Sequence, residues 1–287
     1  MANLKELRNR ITSVSSTMQI TSAMKMVSAA KLNKAQDAIT KMRPYAEKLT
    51  ELLQNLSASL EGDAQSPYTQ VRPVEKVLIV PISSNRGLAG AFNSNIVKRT
   101  NAVVNEYASA KVELFSIGKK ANDILQKKHS VIDVNTEVTE NPTYEDVAEI
   151  AEYIMKAYED KTYDKIILVY NSFKNAATQI VKAEQFLPLE TSTETPQDTA
   201  STEYIYEPSK VEILNELIPK SLKIQLFKAL RDSIASEHGA RMTAMHKATD
   251  NATELRDGLK LSYNKARQAA ITNEILEIVA GAEALSS

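Results

Sequence analysis

Residues Ser209 to Leu285 read SKVEILNELIPKSLKIQLFKALRDSIASEHGARMTAMHKATDNATELRDGLKLSYNKARQAAITNEILEIVAGAEAL, and the fold is decided by reading this run as one helix. Pro208 precedes it, and Ser209 with Glu212 has the spacing of a capping box, in which the hydroxyl accepts from the third helical amide while the carboxylate reaches back. No proline follows Pro219. Met245, Ala248, Ala252, Leu255 and Leu259 recur at alternating steps of three and four, which holds one narrow apolar stripe along the helix. A stripe that narrow is a two-helix seam rather than a face of a globular core. At ~1.5 Å per residue the part beyond Pro219 alone would be on the order of 100 Å long, more than a compact domain of this size requires.

The partner helix lies at the other end of the chain. Asn3, with Glu6 three residues on, opens a helix to about residue 60. Leu4, Leu7, Ile11, Val14 and Met18 step by three and four, and Leu32, Ala35, Ile39, Met42, Ala46, Leu49, Leu53, Leu56 and Leu60 continue the phase. Between them the phase is filled by Thr21, Lys25 and Ser28, while Ile20, Met24 and Val27 fall off it. Two readings fit: residues 19 to 31 touch a third surface besides the partner helix, or the seam shifts locally. Pro44 is expected to bend or interrupt this helix.

Between the helices the period changes. Ser66 to Pro73 is polar with two prolines and reads as a linker. Lys76 to Ile82 (KVLIVPI), Lys111 to Ile117 (KVELFSI) and Lys165 to Tyr170 (KIILVY) are apolar, β-branched runs that predict buried strands. Val131 to Val134, Thr178 to Phe186 and Tyr204 to Pro208 predict three more. Helical stretches at Ser94 to Ser109, Lys119 to Lys128 and Thr143 to Glu159 interleave with them, which argues a Rossmann-like α/β sheet. Leu189 to Glu203 is Thr-rich and acidic and reads as a surface loop. The fold class is therefore an α/β domain, residues 61–208, inserted between two long terminal helices, 1–60 and 209–287, that form an antiparallel coiled coil.

Composition removes several function classes. The chain has 287 residues, 43% hydrophobic and 25% charged, as in soluble folded proteins, and seven glycines suit long helices. It has no cysteine, which removes thiol catalysis, disulfides and cysteine-ligated zinc. No run approaches a membrane span or a signal-peptide core, so a cytoplasmic protein is expected. Residues 1 to 60 carry nine Lys or Arg against four Asp or Glu. That excess fits an acidic protein surface or nucleic acid, or simply a solvated face.

The loop after the first strand, Ser83 to Asn93 (SSNRGLAGAFN), sits where an α/β fold would hold a phosphate. Gly87 and Gly90 do not make G-x-G-x-x-G, and Gly118-Lys119-Lys120 lacks the rest of a P-loop, so tight turns and close packing are the expected role of these glycines. His129, His238 and His246 lie at no metal-ligand spacing, and no serine sits in a G-x-S-x-G elbow. No catalytic, metal or cofactor constellation is identified. Two rivals remain on these residues: an α/β enzyme with a coiled-coil arm for a large substrate such as RNA, and a purely structural tether.

Several long motifs then agree in order along the whole chain. ITNEILEIVAGAEA at Ile271 to Ala284, ITSAMKMVSAAK at Ile20 to Lys31, RGLAGAFN after the first strand, YIYEP before the last helix and SEHGARMTAMHKATDNA at Ser236 to Ala252 resemble the γ subunit of F-type ATP synthases. Asn85 stands where many members have Asp and Ala89 where many have Cys. The resemblance implies a non-catalytic central-stalk rotor, whose coil rises through a ring of three α and three β subunits to couple ion flow to ATP synthesis. The α/β domain would be a foot near the ε subunit and the membrane c-subunit ring, on the cytoplasmic face of a bacterial membrane as a peripheral protein. By motif match, Met24, Lys25, Arg241, Gln268, Thr272, Glu274 and Glu277 would be shaft contacts with the α and β subunits. Tyr204, Tyr206 and Glu207 would meet the rotor ring. No nucleic acid, metal or cofactor is implied.

Overall fold

The structure is a computed structural model that describes residues 4–58, 66–189 and 210–286. In chain order the elements are α1 (Leu4–Ala58), β1 (Lys76–Pro81), α2 (Phe92–Glu106), β2 (Lys111–Ile117), α3 (Lys119–Leu125), β3 (Val131–Asn135), α4 (Tyr144–Glu159), β4 (Lys165–Phe173), β5 (Gln179–Leu187) and α5 (Lys210–Ser286). The expected cap at Ser209, the strand Tyr204 to Pro208, Leu60 and nearly all of the Thr-rich loop lie outside the described residues. Two compact units emerge: residues 1–28 with 242–287, and residues 29–241.

In the first unit α1 and α5 run antiparallel. The hydroxyl of Thr249 donates to that of Thr21 at 2.8 Å, Thr253 Oγ1 lies 3.3 Å from Met18 Sδ, and Lys25 Nζ lies 3.4 Å from His246 Nδ1, so numbers rising on one helix meet numbers falling on the other. The α1 phase runs unbroken through Thr21, Lys25 and Ser28, which argues against a local seam shift. Ile20 and Val27 are left outside it, 60% and 57% exposed. The α5 stripe needs correction at one position. Met245 and Ala252 are buried and Ala248 and Leu259 half-buried, as expected, but Leu255 is 55% exposed, and Arg256 takes its place in the line that runs on to Tyr263. Thr249 joins this seam through its hydroxyl pair with Thr21.

The second unit is built on a five-stranded sheet of order β3-β2-β1-β4-β5, parallel except for β5. Val77, Leu78, Ile79 and Val80 are fully buried, because β1 is central and both of its faces are covered. Val77, Ile79, Leu114, Ile167 and Val169 pack against Ile96, Val97 and Val103 of α2 and Ala121 and Leu125 of α3. Alternation sends Leu78, Phe115 and Leu168 to the other face. There Phe115 meets Tyr153 of α4, and Tyr144 of α4 meets Phe227 of α5 edge-on, with centroids 5.9 and 6.0 Å apart. Ala46 and Leu49 of α1 close on Ile224 of α5, continuing the phase of Leu32, Ala35 and Ile39.

Local signals explain the element ends. The box of Thr143 and Asp146 is formed at the start of α4, each side chain bonding the other's backbone amide at 3.2 Å. Helix α1 is not interrupted at Pro44. One expectation fails. Ser66 to Pro73 is packed rather than a free linker: Tyr68 is buried with its hydroxyl on Glu159, and the Arg72 guanidinium stacks 4.2 Å above the Tyr158 ring. An aromatic residue and an arginine in a proline-bearing run were enough to anchor it.

Candidate functional site

In an open α/β sheet a ligand site forms beyond the carboxyl ends of the strands where the strand order reverses. Here that point lies between β1 and β4. The loop leaving β1 is closed on its own neighbours. Ser84 N donates to Asn93 Oδ1 at 3.0 Å, while the first amides of α3 donate to the loop, Lys119 to Asn85 Oδ1, Lys120 to Ser84 O and Ala121 to Ser83 Oγ. Gly118 has φ +93°, and a Cβ there would stand 2.1 Å from Ser83 O. The glycine ahead of the two lysines thus permits close backbone approach, as expected, and the α3 amides a phosphate would use are already taken.

Helix α5 occupies the crevice itself. Ser236 Oγ donates to Asn171 O at 2.9 Å, Ser172 Oγ to Asp232 Oδ2 at 3.2 Å, and Arg241 Nη2 to the carbonyls of Arg86 and Gly87 at 3.2 and 3.3 Å. Arg241 also pairs with Glu237 at 2.5 Å. Asp232, Ser236, Glu237 and Arg241 are all buried. Burial pushes the Glu237 carboxyl up against the opposing pull of Arg241. Burial, with Arg241 and Lys31 adding to it, holds His238 down at about 4. Removing one member of such a buried ionic pair typically costs ~3–5 kcal/mol, because the other charge is stranded. Arg241, expected as a surface contact of the shaft, is 8% exposed and engaged with its own chain's carbonyls. Asp232, Ser236 and Glu237 were not singled out in the sequence, although polar residues recurring at 232, 236, 237 and 241 inside an apolar helix phase were a readable sign.

The other expected contacts lie in the first unit. Met24 is half-buried and Lys25 lies beside His246, with the exposed Ile20, Met26 and Val27 on neighbouring faces. Tyr263 and Ala266 are the last half-buried residues of α5, and every residue from 267 to 282 is exposed. That stretch carries Gln268, Thr272, Glu274 and Glu277 beside Ile271, Ile275, Leu276, Ile278 and Val279. Tyr204, Tyr206 and Glu207 lie outside the described residues. Among the described residues no three His, Asp or Glu side chains gather as a metal site.

Comparison with known proteins fits this arrangement of two long helices around a sheet. A family model described as ATP synthase matches residues 3–285. The ATP synthase gamma chain of Christiangramia forsetii is 66% identical over 287 residues, covering all of both chains. A chain from the central stalk and c-ring structure of Tetrahymena thermophila mitochondrial ATP synthase superposes with TM-score 0.60 at 26% identity, covering 80% of this chain and 99% of that one. A chain of the Euglena gracilis mitochondrial ATP synthase reaches TM-score 0.70 at 22% identity, over 98% and 94%, a likeness of fold. Two terminal helices paired antiparallel, a five-stranded sheet between them and full-length identity to named gamma chains lead to one conclusion: this chain belongs to the ATP synthase gamma chain family.

Proposed function

We propose that the chain is the central-stalk rotor subunit of an F-type ATP synthase, turning inside a ring of three α and three β subunits to couple ion flow through the membrane rotor ring to ATP synthesis. The observation that carries this reading is the end of α5. Residues 267–282 form helix with no covering partner among the described residues, yet five large aliphatic side chains there stand about half exposed or more. Burying each fully would contribute on the order of 1.5–3 kcal/mol, so this surface is built to be enclosed. A surrounding collar of α and β subunits encloses it.

The mechanism needs no bond chemistry in this chain. One asymmetric shaft within a three-fold collar presents unlike faces to three equal catalytic sites and so biases each toward a different state. Turning the shaft passes those states round. Met24, Lys25, Arg241, Gln268, Thr272, Glu274 and Glu277 supply the contacts with the α and β subunits. The sheet domain, residues 61–208, is the foot, with Tyr204, Tyr206 and Glu207 toward the c-subunit ring and the ε subunit beside it. The domain division is then 1–60, 61–208 and 209–287. No described helix is long and apolar enough to cross a membrane. A peripheral place on the cytoplasmic face of the bacterial membrane follows from the partners. Reconstitution tests the reading: the chain alone hydrolyses no ATP, and added to α and β subunits it raises steady turnover. Thr272→Ala or Glu274→Ala lowers coupling with the melting temperature unchanged. ATP turnover indifferent to the chain would overturn the proposal.

A further inference from the structure

Helix α5 meets the sheet domain through directional contacts at almost every turn between Gln225 and Arg241. Gln225 Nε2 donates to Glu184 Oε1 at 2.7 Å and Arg231 Nη2 to Pro142 O at 2.8 Å. Asp232, Ser236 and Arg241 follow with the crevice contacts described above. Gly239 passes the β4–β5 turn so closely that a Cβ would stand 3.2 Å from both Cα and O of Ala176. A turn of ~100° brings the next residue of a helix into each seat. Buried polar groups are unforgiving of that slip. Rotation by one residue would carry Ser236 away from Asn171 O, Asp232 away from Ser172 and Arg241 away from the carbonyls of Arg86 and Gly87, and setting register is the best-attested use of such buried groups.

We infer that the ligand crevice of this sheet serves as a socket that locks α5 in rotational register with the foot, with Asp232, Ser236, Gly239 and Arg241 as positioning residues. The inference rests on the rotor reading and deepens it. Torque entering the foot reaches the shaft only if the helix cannot turn within its seat, and one face of α5 is keyed to the strand ends by groups that have no second home.

The absence of cysteine makes the socket testable in the intact complex, because Ser172→Cys with Asp232→Cys introduces the only thiols of the chain. Both positions line an open groove of about 570 Å³, which a reductant can enter. In complexes reconstituted into vesicles, the reduced double variant retains ATP hydrolysis but loses most ATP-driven ion pumping. Oxidation closes the bond and restores pumping, judged against the unsubstituted chain under the same two treatments. A second pair, Glu237→Met with Arg241→Met, keeps side-chain volume and melting temperature yet loses pumping, while Arg241→Lys recovers part of it. Full pumping by the reduced cysteine pair and by the methionine pair would overturn the socket. So would pumping that stops on oxidation, since α5 would then have to move in its seat. Failure of the unsubstituted chain to support pumping would overturn the rotor reading beneath it.

Discussion

His238 shows how far one side chain can be carried from its ordinary behaviour. Folded, it takes up a proton only near pH 4, because burial disfavours the charged ring and Arg241 and Lys31 add like charge. Unfolded, it does so near 6.5. Between those values the unfolded chain holds the extra proton, so stability present above about 6.5 is lost as the pH falls toward about 4. His238→Asn should flatten that part of the curve, as read from melting temperatures across the pH range. An unchanged slope would locate the acid sensitivity elsewhere. Thr21 and Thr249 make a second case. Replacing one with Val removes the link but leaves the other hydroxyl on a carbonyl of its own helix, Met18 O for Thr21 and Met245 O for Thr249, and should cost about 1 kcal/mol, while replacing both should cost little more than replacing one. A double-mutant cycle in urea checks this, and additive losses would mean the two hydroxyls do not act as a pair.

Elements were legible in the sequence to the extent that their cause is local. KVLIVPI, KVELFSI and KIILVY announced buried strands because continuous β-branched apolar runs have few other uses, and the box at Thr143 and Asp146 marked the start of α4 to the residue. One position of the α5 seam was misread, Leu255 in place of Arg256, because threes and fours admit both and the choice depends on Met18, 238 residues away. The crevice was hidden for the same reason: Arg241 meets Arg86 and Gly87 across 155 and 154 residues. Family resemblance supplied Arg241 without its burial, included Ser236 in a motif without giving it a role, and gave no notice of Asp232. At this scale the end of α5 is separable from the fold. Removing residues 270–287 should leave the thermal transition of the sheet domain unchanged and abolish coupling, as followed by circular dichroism and by pumping. A cooperative loss of the sheet on truncation would contradict the exposure of this stretch.

Across the whole molecule, polar groups are used where register matters and apolar surface where a partner must close. The sheet unit is cored by Val77, Ile79, Leu114 and Val169 and keyed to α5 by buried hydrogen bonds. The paired helices of the other unit bury Leu7, Met245 and Ala252 and add Thr21 with Thr249 and Lys25 with His246. Beyond Ala266 a single helix displays Ile271, Ile275, Leu276, Ile278 and Val279 to solvent. Water is a poor companion for that surface, and a lone copy can hide it only against another copy. Chains made in excess of their collars should therefore associate with one another through this surface, which favours a supply of this polypeptide matched to that of the subunits that sheathe it.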